Sequence, residues 1–161
     1  DWLISYSLYA DKIKGWYDEH VATDFFKYRQ FVMTTLQEEA SLNEIVRLVG
    51  MDALSSKDRL TMETAKIIRE DYLHQNAFDD VDTYTSMQKQ FLMLKLIYEF
   101  DTRAREAVAN FALIDDILSS KSKEKIGRAK YIPEENLSEF DDILQLIYSE
   151  MKGLQGGDEN V

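Results

Sequence analysis

The 161-residue sequence has no cysteine, one proline and two histidines. The absence of cysteine excludes a disulfide scaffold and a cysteine-ligated zinc site. Neither glycine-rich phosphate-binding pattern is present (Gly-x-x-x-x-Gly-Lys-Ser/Thr or Gly-x-Gly-x-x-Gly), and there is no Gly-x-Ser-x-Gly nucleophile elbow. No stretch approaches the ~20 apolar residues that span a bilayer, so direct membrane insertion is not expected. We therefore expect no catalytic residues in this chain by itself.

The charge balance is strongly acidic, with 30 Asp and Glu against 19 Lys and Arg and a net charge of -11. This balance argues against a nucleic-acid partner, because phosphate binding depends on clustered Lys and Arg. It also argues against binding to an anionic membrane surface. Two interpretations remain open: a self-repelling, solvated surface, or an acidic face that meets a basic partner.

Apolar residues recur at helical spacing along most of the chain, and no strand-like alternation persists. Four large apolar side chains on one helix face contribute on the order of 8 kcal/mol before conformational entropy is counted, so the faces need one another. The pattern predicts an all-α fold in which residues 1–152 form a single multi-helix bundle. The glycine-rich, acidic residues 153–161 are predicted to be a disordered tail.

Capping residues and glycines predict where the helices begin and end. Ser41-Leu42-Asn43-Glu44 and Thr85-Ser86-Met87-Gln88 have the capping-box pattern, and Gly50 suits a helix end because glycine tolerates a positive φ. The predicted helices run from Leu8 to His20, from Asp24 (capped by Thr23) to Ala40, from Ser41 to Val49, from Ser55 or Ser56 to about His74, from Thr85 onward, and from Glu134 or soon after.

Three apolar stripes are expected to pack in the core. The stripe that begins at Ala107 lies either on a continuation of the helix that starts at Thr85 or on a separate helix after a break near Asp101. The stripes are Leu42, Ile45, Val46 and Val49; then Ala107, Phe111, Ile114 and Leu118; and last Phe140, Ile143, Leu144, Ile147 and Met151.

Two groups of side chains have some features of metal sites. Glu70 and His74 lie one helical turn apart, but the further glutamates of a di-iron bundle are missing. The cluster Asp79, Asp80 and Asp82 lacks the glycine and the closing glutamate of a calcium loop. We interpret the first as an exposed i, i+4 pair and the second as a solvated loop, so no metal site is predicted.

Two loops differ from ordinary connections. Phe78 is a large apolar residue in a polar segment, where it could fill the domain's own core or be presented to a ligand or a neighbouring domain. The segment from Gly50 to Asp58 joins two helices. It is either a simple turn or a protruding contact that carries Met51 and Leu54 outward.

These two loops, in this order, resemble those of rotary ATPases. The run from Leu48 to Leu60 resembles the rotor-contacting helix-turn-helix, which is more acidic in F-type beta subunits. The run from Ile68 to Thr83 is specifically similar to the catalytic A subunit of V/A-type ATPases. So are Ser5-Tyr6-Ser7-Leu8-Tyr9, Glu44-Ile45-Val46-Arg47-Leu48-Val49-Gly50 and Lys130-Tyr131-Ile132-Pro133-Glu134-Glu135, and the resemblance extends from about residue 2 to residue 136.

The resemblance implies that the chain is the C-terminal helical domain of a larger subunit that hydrolyses or synthesises ATP. That subunit would alternate with the B subunit around a central-stalk rotor, in a cytoplasmic complex peripheral to the membrane, coupled to proton or sodium transport. ATP or ADP with Mg would bind mostly outside this chain. Phe78 would pack against the adenine ring, with Gln75, Asn76 and Ala77 nearby. The implied rotor contact is Gly50, Met51, Asp52, Ala53, Leu54, Ser55, Ser56, Lys57 and Asp58.

Two rival interpretations are a stand-alone helical protein–protein interaction module that uses the same tip, and a metal-bundle enzyme. Neither explains why both loops occur in the order and spacing of the rotary ATPases. The apolar residues directly after Asp1 also suggest that the chain continues upstream, because natural termini are usually polar and loosely held.

Overall fold

The computed structural model describes residues 19–73 and 87–156, without the side chains of residues 19–22. Within these ranges every regular element is helical, which confirms the all-α prediction. The elements are α1 (Glu19–Val49), α2 (Ser56–Ile67), α3 (Met87–Ala109), α4 (Ile114–Leu118), α5 (Lys121–Arg128) and α6 (Glu139–Leu154), with a π-helical segment at Ile68–Leu73 and 3-10 turns at Met51–Ala53, Ala129–Tyr131 and Glu134–Asn136.

The first long helix corrects the predicted boundaries. α1 is continuous over 31 residues, so neither Thr23 nor Ser41 starts a helix. The Ser41 hydroxyl instead donates back to the carbonyl of Gln37 at 3.5 Å, and Glu44 pairs with Arg47. The capping box at Ser41 does not start a new helix because its residues also suit a helix interior. Extending an existing helix costs less free energy than nucleating a new one. Most of the predicted first helix, before residue 19, lies outside the described residues.

The core lies around α3, which packs against α1, α2, α5 and α6. Phe100 on α3 and Phe140 on α6 are fully buried. α3 passes through Asp101 without a break, which resolves the open alternative in favour of a continuous helix as far as Ala109. The last stripe is buried as predicted and comprises Phe140, Ile143, Leu144, Ile147 and Met151.

The second stripe is only partly correct. Ala107, Ile114 and, in part, Leu118 pack on the core, but Phe111 is 79 % exposed. α3 ends before it, and Phe111 adopts a positive φ of 73° in the turn that follows. The spacing predicted an unbroken helical face, whereas the chain changes direction between Asn110 and Leu113.

Residues 121–130, which precede α6, contain four lysines and one arginine. Two of these side chains pair with acidic residues of the bundle. Lys123 pairs with Glu63 at 2.7 Å, and Lys130 pairs with Asp71 at 3.5 Å. α6 begins at Glu139, after a 3-10 turn that follows Pro133, and it includes Gly153 and Leu154. These two residues were predicted to belong to the tail, and residues 157–161 lie outside the described ranges. No helix in those ranges is long and apolar enough to cross a membrane.

Candidate functional site

The candidate site is the hairpin formed by the second half of α1, the turn at residues 50–55, and α2. Gly50 ends α1 with φ of 89° and ψ of 166°, a backbone region open essentially only to glycine. The sequence therefore predicted the helix end and its positive φ correctly. Ser55 caps α2 by accepting a hydrogen bond from the Asp58 amide at 3.1 Å, which confirms one of the two predicted caps.

The turn satisfies much of its own backbone. The Gly50 amide donates to the Val46 carbonyl at 2.8 Å, and the amides of Ala53 and Leu54 donate to the carbonyls of Gly50 and Met51 at 3.3 and 3.1 Å. A turn with these internal bonds keeps a defined shape without a partner. We call residues 50–58 the tip.

Most of the tip is exposed, but one predicted outward contact is wrong. Met51 is 45 % exposed, and Asp52, Ala53, Ser55, Ser56 and Lys57 are exposed as well. Leu54, however, is only 8 % exposed, so it points into the hairpin rather than outward.

The last turns of α1 carry exposed apolar side chains, and two of them, Ile45 and Val49, were predicted to pack in the core. Leu48 is 82 % exposed, Val49 63 % and Ile45 44 %, while Leu42 and Val46 are half-buried. Together with Met51 these exposed residues form what we call the apolar flank: Ile45, Leu48, Val49 and Met51. Such a contiguous apolar surface is typical of a contact with a partner. The available signal was that the stripe ends directly at Gly50, where the chain enters the turn of the hairpin.

A buried polar network ties the second arm of the hairpin to the centre of the bundle. The Asp101 carboxylate, on α3, accepts hydrogen bonds from the Thr64 hydroxyl at 2.7 Å and from Arg105 Nε at 2.8 Å. Arg105 also donates to the Thr61 hydroxyl at 2.7 Å. Asp101, Thr61 and Thr64 are each buried to at least 95 %. Because buried polar groups are costly when unpaired, this network fixes the register of α2 on α3.

Ion pairs brace the hairpin on its outside. Arg69 on the π-helical segment pairs with Glu39 on α1 at 2.7 Å, which joins the two arms. Arg59, in the first turns of α2, pairs with Asp115 on α4 at 3.3 Å. Glu39 is buried, whereas the Asp115 side chain is 82 % exposed, so only the Arg59–Asp115 pair is a surface pair, worth about 0.2–1 kcal/mol. Both pairs define which elements are neighbours.

The end of α2 opposite the tip carries the π-helical segment. Burial raises the pKa of the Asp71 carboxyl, although the nearby Lys130 ammonium opposes the shift. Lys89 donates to the Lys130 carbonyl at 2.8 Å and holds the adjoining 3-10 turn. The chain then enters residues 74–86, which lie outside the described ranges. The predicted nucleotide contacts Gln75, Asn76, Ala77 and Phe78 fall there.

Several residues of the two groups that resemble metal sites also lie outside the described ranges. Glu70 is exposed, as expected for a surface pair, but its proposed partner His74 is outside the described residues. The acidic cluster at residues 79–82 is outside them too. In the described part of the chain, no three His, Asp or Glu side chains gather closely enough to hold a metal ion. An open cleft of about 700 Å³ lies between α5 and α6, far from the tip, and its rim carries charges of both signs.

Comparison with known proteins gives a consistent result. Residues 14–118 match the family model described as the C-terminal domain of V and A type ATP synthase. The chain is 53 % identical, over 98 % of its length, to the V-type ATP synthase alpha chain of Clostridium perfringens. It is 51 % identical over 98 % of its length to that of Thermoanaerobacter pseudethanolicus. The chain spans 27 % of the length of each of these two relatives.

Proposed function

Because the chain belongs to the family of C-terminal domains of V and A type ATP synthases, we propose that its hairpin transmits movement of the alpha chain to a central rotor. The observation that carries this proposal is the tip itself, which is exposed, internally hydrogen-bonded and flanked by unburied apolar side chains. A surface of this kind suits a mechanical contact with another protein of the complex.

The bundle has the features that a lever needs. α1 is about 46 Å long by the rise of an α-helix, and its first half is buried in the core while its second half extends to the tip. The network around Asp101 fixes α2 to α3, so the two helices move together. A displacement at the end of α2 near Leu73 therefore reaches the tip as a rigid-body rotation rather than as bending.

We further propose that residues 75–78, which come after the π-helical segment in the sequence, form one wall of a nucleotide pocket, with Phe78 against the adenine ring. This assignment rests on the resemblance of the motif. As the resemblance implies, ATP or ADP with Mg would bind mainly through other parts of the whole alpha chain. The B subunit would then be the alternating neighbour, and the complex would lie at the cytoplasmic face of the membrane and move protons or sodium ions.

The adenine assignment is tested in the full alpha chain within its complex. Phe78→Ala should weaken nucleotide binding by about 0.5–1.5 kcal/mol, the value of an aromatic stacking contact beyond area burial. Isothermal titration with ADP measures the change. Leu73→Ala, a half-buried residue just before the segment, controls for loosening of this end of the bundle. Unchanged affinity in Phe78→Ala would remove the adenine role.

The lever role is tested by making the apolar flank polar without disturbing the Ser55 cap. The triple variant Leu48→Ser, Val49→Ser, Met51→Ser should lower the number of ions transported per ATP hydrolysed, because rotor contact is weakened while the nucleotide sites are intact. Met33→Ser is the matched control, since Met33 is 49 % exposed on the same helix but distant from the tip. Normal coupling in the triple variant would show that the tip is a passive turn.

The stand-alone interaction module is not retained as an alternative. The relatives that match almost the whole chain at about half identity carry the name of ATP synthase alpha chains. Membership of the family therefore favours a part of a larger machine over an independent adaptor.

A further inference from the structure

The turn between α3 and α4 exposes two large apolar side chains. Phe111 is 79 % exposed and Leu113 is 67 % exposed. They are separated by Ala112, which is buried and anchors the turn. We call Phe111 and Leu113 the second apolar patch.

The conformation of Phe111 is unusual for its residue type. The amide of Ala112 donates to the Ala107 carbonyl at 2.9 Å, and the amide of Phe111 donates to the Val108 carbonyl at 3.1 Å. These two bonds form a Schellman motif, whose left-handed residue is usually glycine. Phe111 occupies that position with φ of 73°, where a bulky side chain is disfavoured. Glycine would serve the turn better, and the phenyl ring is 79 % exposed, so burial in the core does not explain its presence.

The second apolar patch lies at the same end of the molecule as the tip. Asp115, two residues beyond Leu113, pairs with Arg59 at 3.3 Å. Arg59 is in the first turns of α2, directly after the tip, and α4 packs against α2. One partner surface can therefore contact both the tip and the patch.

The charges around the patch define the chemistry of that partner. Glu106, Asp115 and Asp116 flank it in the sequence and are exposed. Glu106 pairs with Arg103 at 3.6 Å and Asp115 with Arg59 at 3.3 Å, yet the Asp115 side chain remains 82 % exposed. Resting on the lever function proposed above, we propose that Phe111 and Leu113 form a second contact with the same rotor. The rotor surface that fits them is a helix whose apolar residues are flanked by Lys and Arg, because basic side chains complement the acidic rim.

Site-directed cross-linking tests the contact. The chain has no cysteine, so in a full alpha chain whose remaining cysteines are replaced, one introduced thiol reports one position. Leu113→Cys and Met51→Cys are compared in the assembled complex with a short cross-linker that joins a thiol to lysine. Tyr131→Cys is the control, since Tyr131 is 77 % exposed but lies beside Lys130 near the opposite end of α2. We expect cross-links to the rotor from positions 51 and 113 and none from position 131.

The outcomes separate this inference from the lever function. A rotor cross-link from position 51 without one from position 113 overturns the second contact and leaves the lever function standing. Absence of rotor cross-links from both positions overturns both. A cross-link from position 113 to a neighbouring member of the catalytic ring instead of the rotor also overturns the second contact.

A second variant separates the loss of the rotor contact from a loss of stability. Phe111→Gly removes the ring and relieves the strained backbone, so the thermal midpoint of the complex's alpha chain should stay unchanged or rise. Affinity of the catalytic ring for the rotor should nevertheless fall roughly five- to thirty-fold, as when an aromatic anchor is lost from an interface. Tyr131→Gly should leave that affinity unchanged. Full rotor affinity in Phe111→Gly would overturn the proposal.

Discussion

The two halves of α1 have similar apolar spacing but opposite surroundings. In the first half, Phe25 and Tyr28 are 3 % exposed, and both rings contact Phe91 with centroids 5.9 and 5.4 Å apart. In the second half, Leu48 and Val49 are mostly exposed. The difference teaches that an amphipathic stripe shows only that a helix has a partner. Whether that partner belongs to the same domain is decided by which other elements reach it.

The largest expected effect is on the buried half. Phe25→Ala should lower the free energy of unfolding by about 3–5 kcal/mol, because it removes aromatic packing and leaves a cavity against Phe91. Urea denaturation followed by circular dichroism measures this loss. A loss below about 1 kcal/mol would mean that the first half of α1 is not held by the core and would break the comparison.

The next effect concerns the place where the core holds the hairpin. Asp101→Asn leaves Arg105 without its charged partner, and the lost charge-assisted hydrogen bonds should cost about 1.5–3 kcal/mol. Thr64→Val, which removes one hydrogen bond to the same carboxylate but leaves its ion pair with Arg105 in place, should cost less. The same urea titration compares them. Equal costs would show that the Arg105 bond contributes nothing.

A smaller, pH-dependent effect is expected at Glu150 on α6. Burial would raise its pKa, but hydrogen bonds from the hydroxyl and amide of Ser122 and the amide of Lys121 outweigh burial and lower it. A lowered folded-state pKa stabilises the fold above the ordinary value of 4.5 and loses that contribution as pH falls through the folded value.

Glu150→Gln should therefore cost about 1 kcal/mol at pH 7, as for loss of a helix cap, and the difference from the parent chain should shrink as the pH is lowered below about 4. Thermal unfolding at several pH values measures it. Asp52→Asn at the tip is the control and should change little at any of them. A difference that grows on acidification would contradict the expected sign.

The smallest effect on stability is expected in the exposed half of α1. Leu48→Ser should change the free energy of unfolding by less than about 0.5 kcal/mol, because its side chain is already in solvent. The difference between the unfolding free energies of Leu48→Ser and Phe25→Ala measures directly how differently the two halves of α1 are packed. A cost above about 1 kcal/mol would show that Leu48 packs on part of the domain outside the described residues.

Helical periodicity was enough to predict the fold class, the last apolar stripe, the end of α1 at Gly50 and the cap at Ser55. These depend on local chemistry. The errors at Ser41 and Phe111 have a common cause, since in both cases the local pattern was compatible with two conformations. The direction of Leu54 was missed because a side chain in a tight turn faces whichever arm leaves space.

The candidate site was predicted unevenly. The limits of the turn followed from Gly50 and Ser55, and an outward-pointing Met51 was one of the two alternatives for it. Ile45 and Val49 of the apolar flank, however, were assigned to the core, because exposure cannot be read from spacing. The Asp101 network was not anticipated, since Thr61, Thr64 and Arg105 look like ordinary surface residues of two unrelated helices. The nucleotide contacts at residues 75–78 stay a prediction.

The π-helical segment Ile68–Leu73 has a consequence for the direction in which the chain leaves α2. A π turn holds about one residue more than an α turn, so it shifts the angular phase of everything beyond it by about 100°. Deleting one exposed residue there, such as Glu70, should restore α geometry and change this phase by about 100°, while leaving the packing of α2 before Ile68 unchanged. The number of residues in the π-helical segment thus sets the angular position at which the residues after α2 begin.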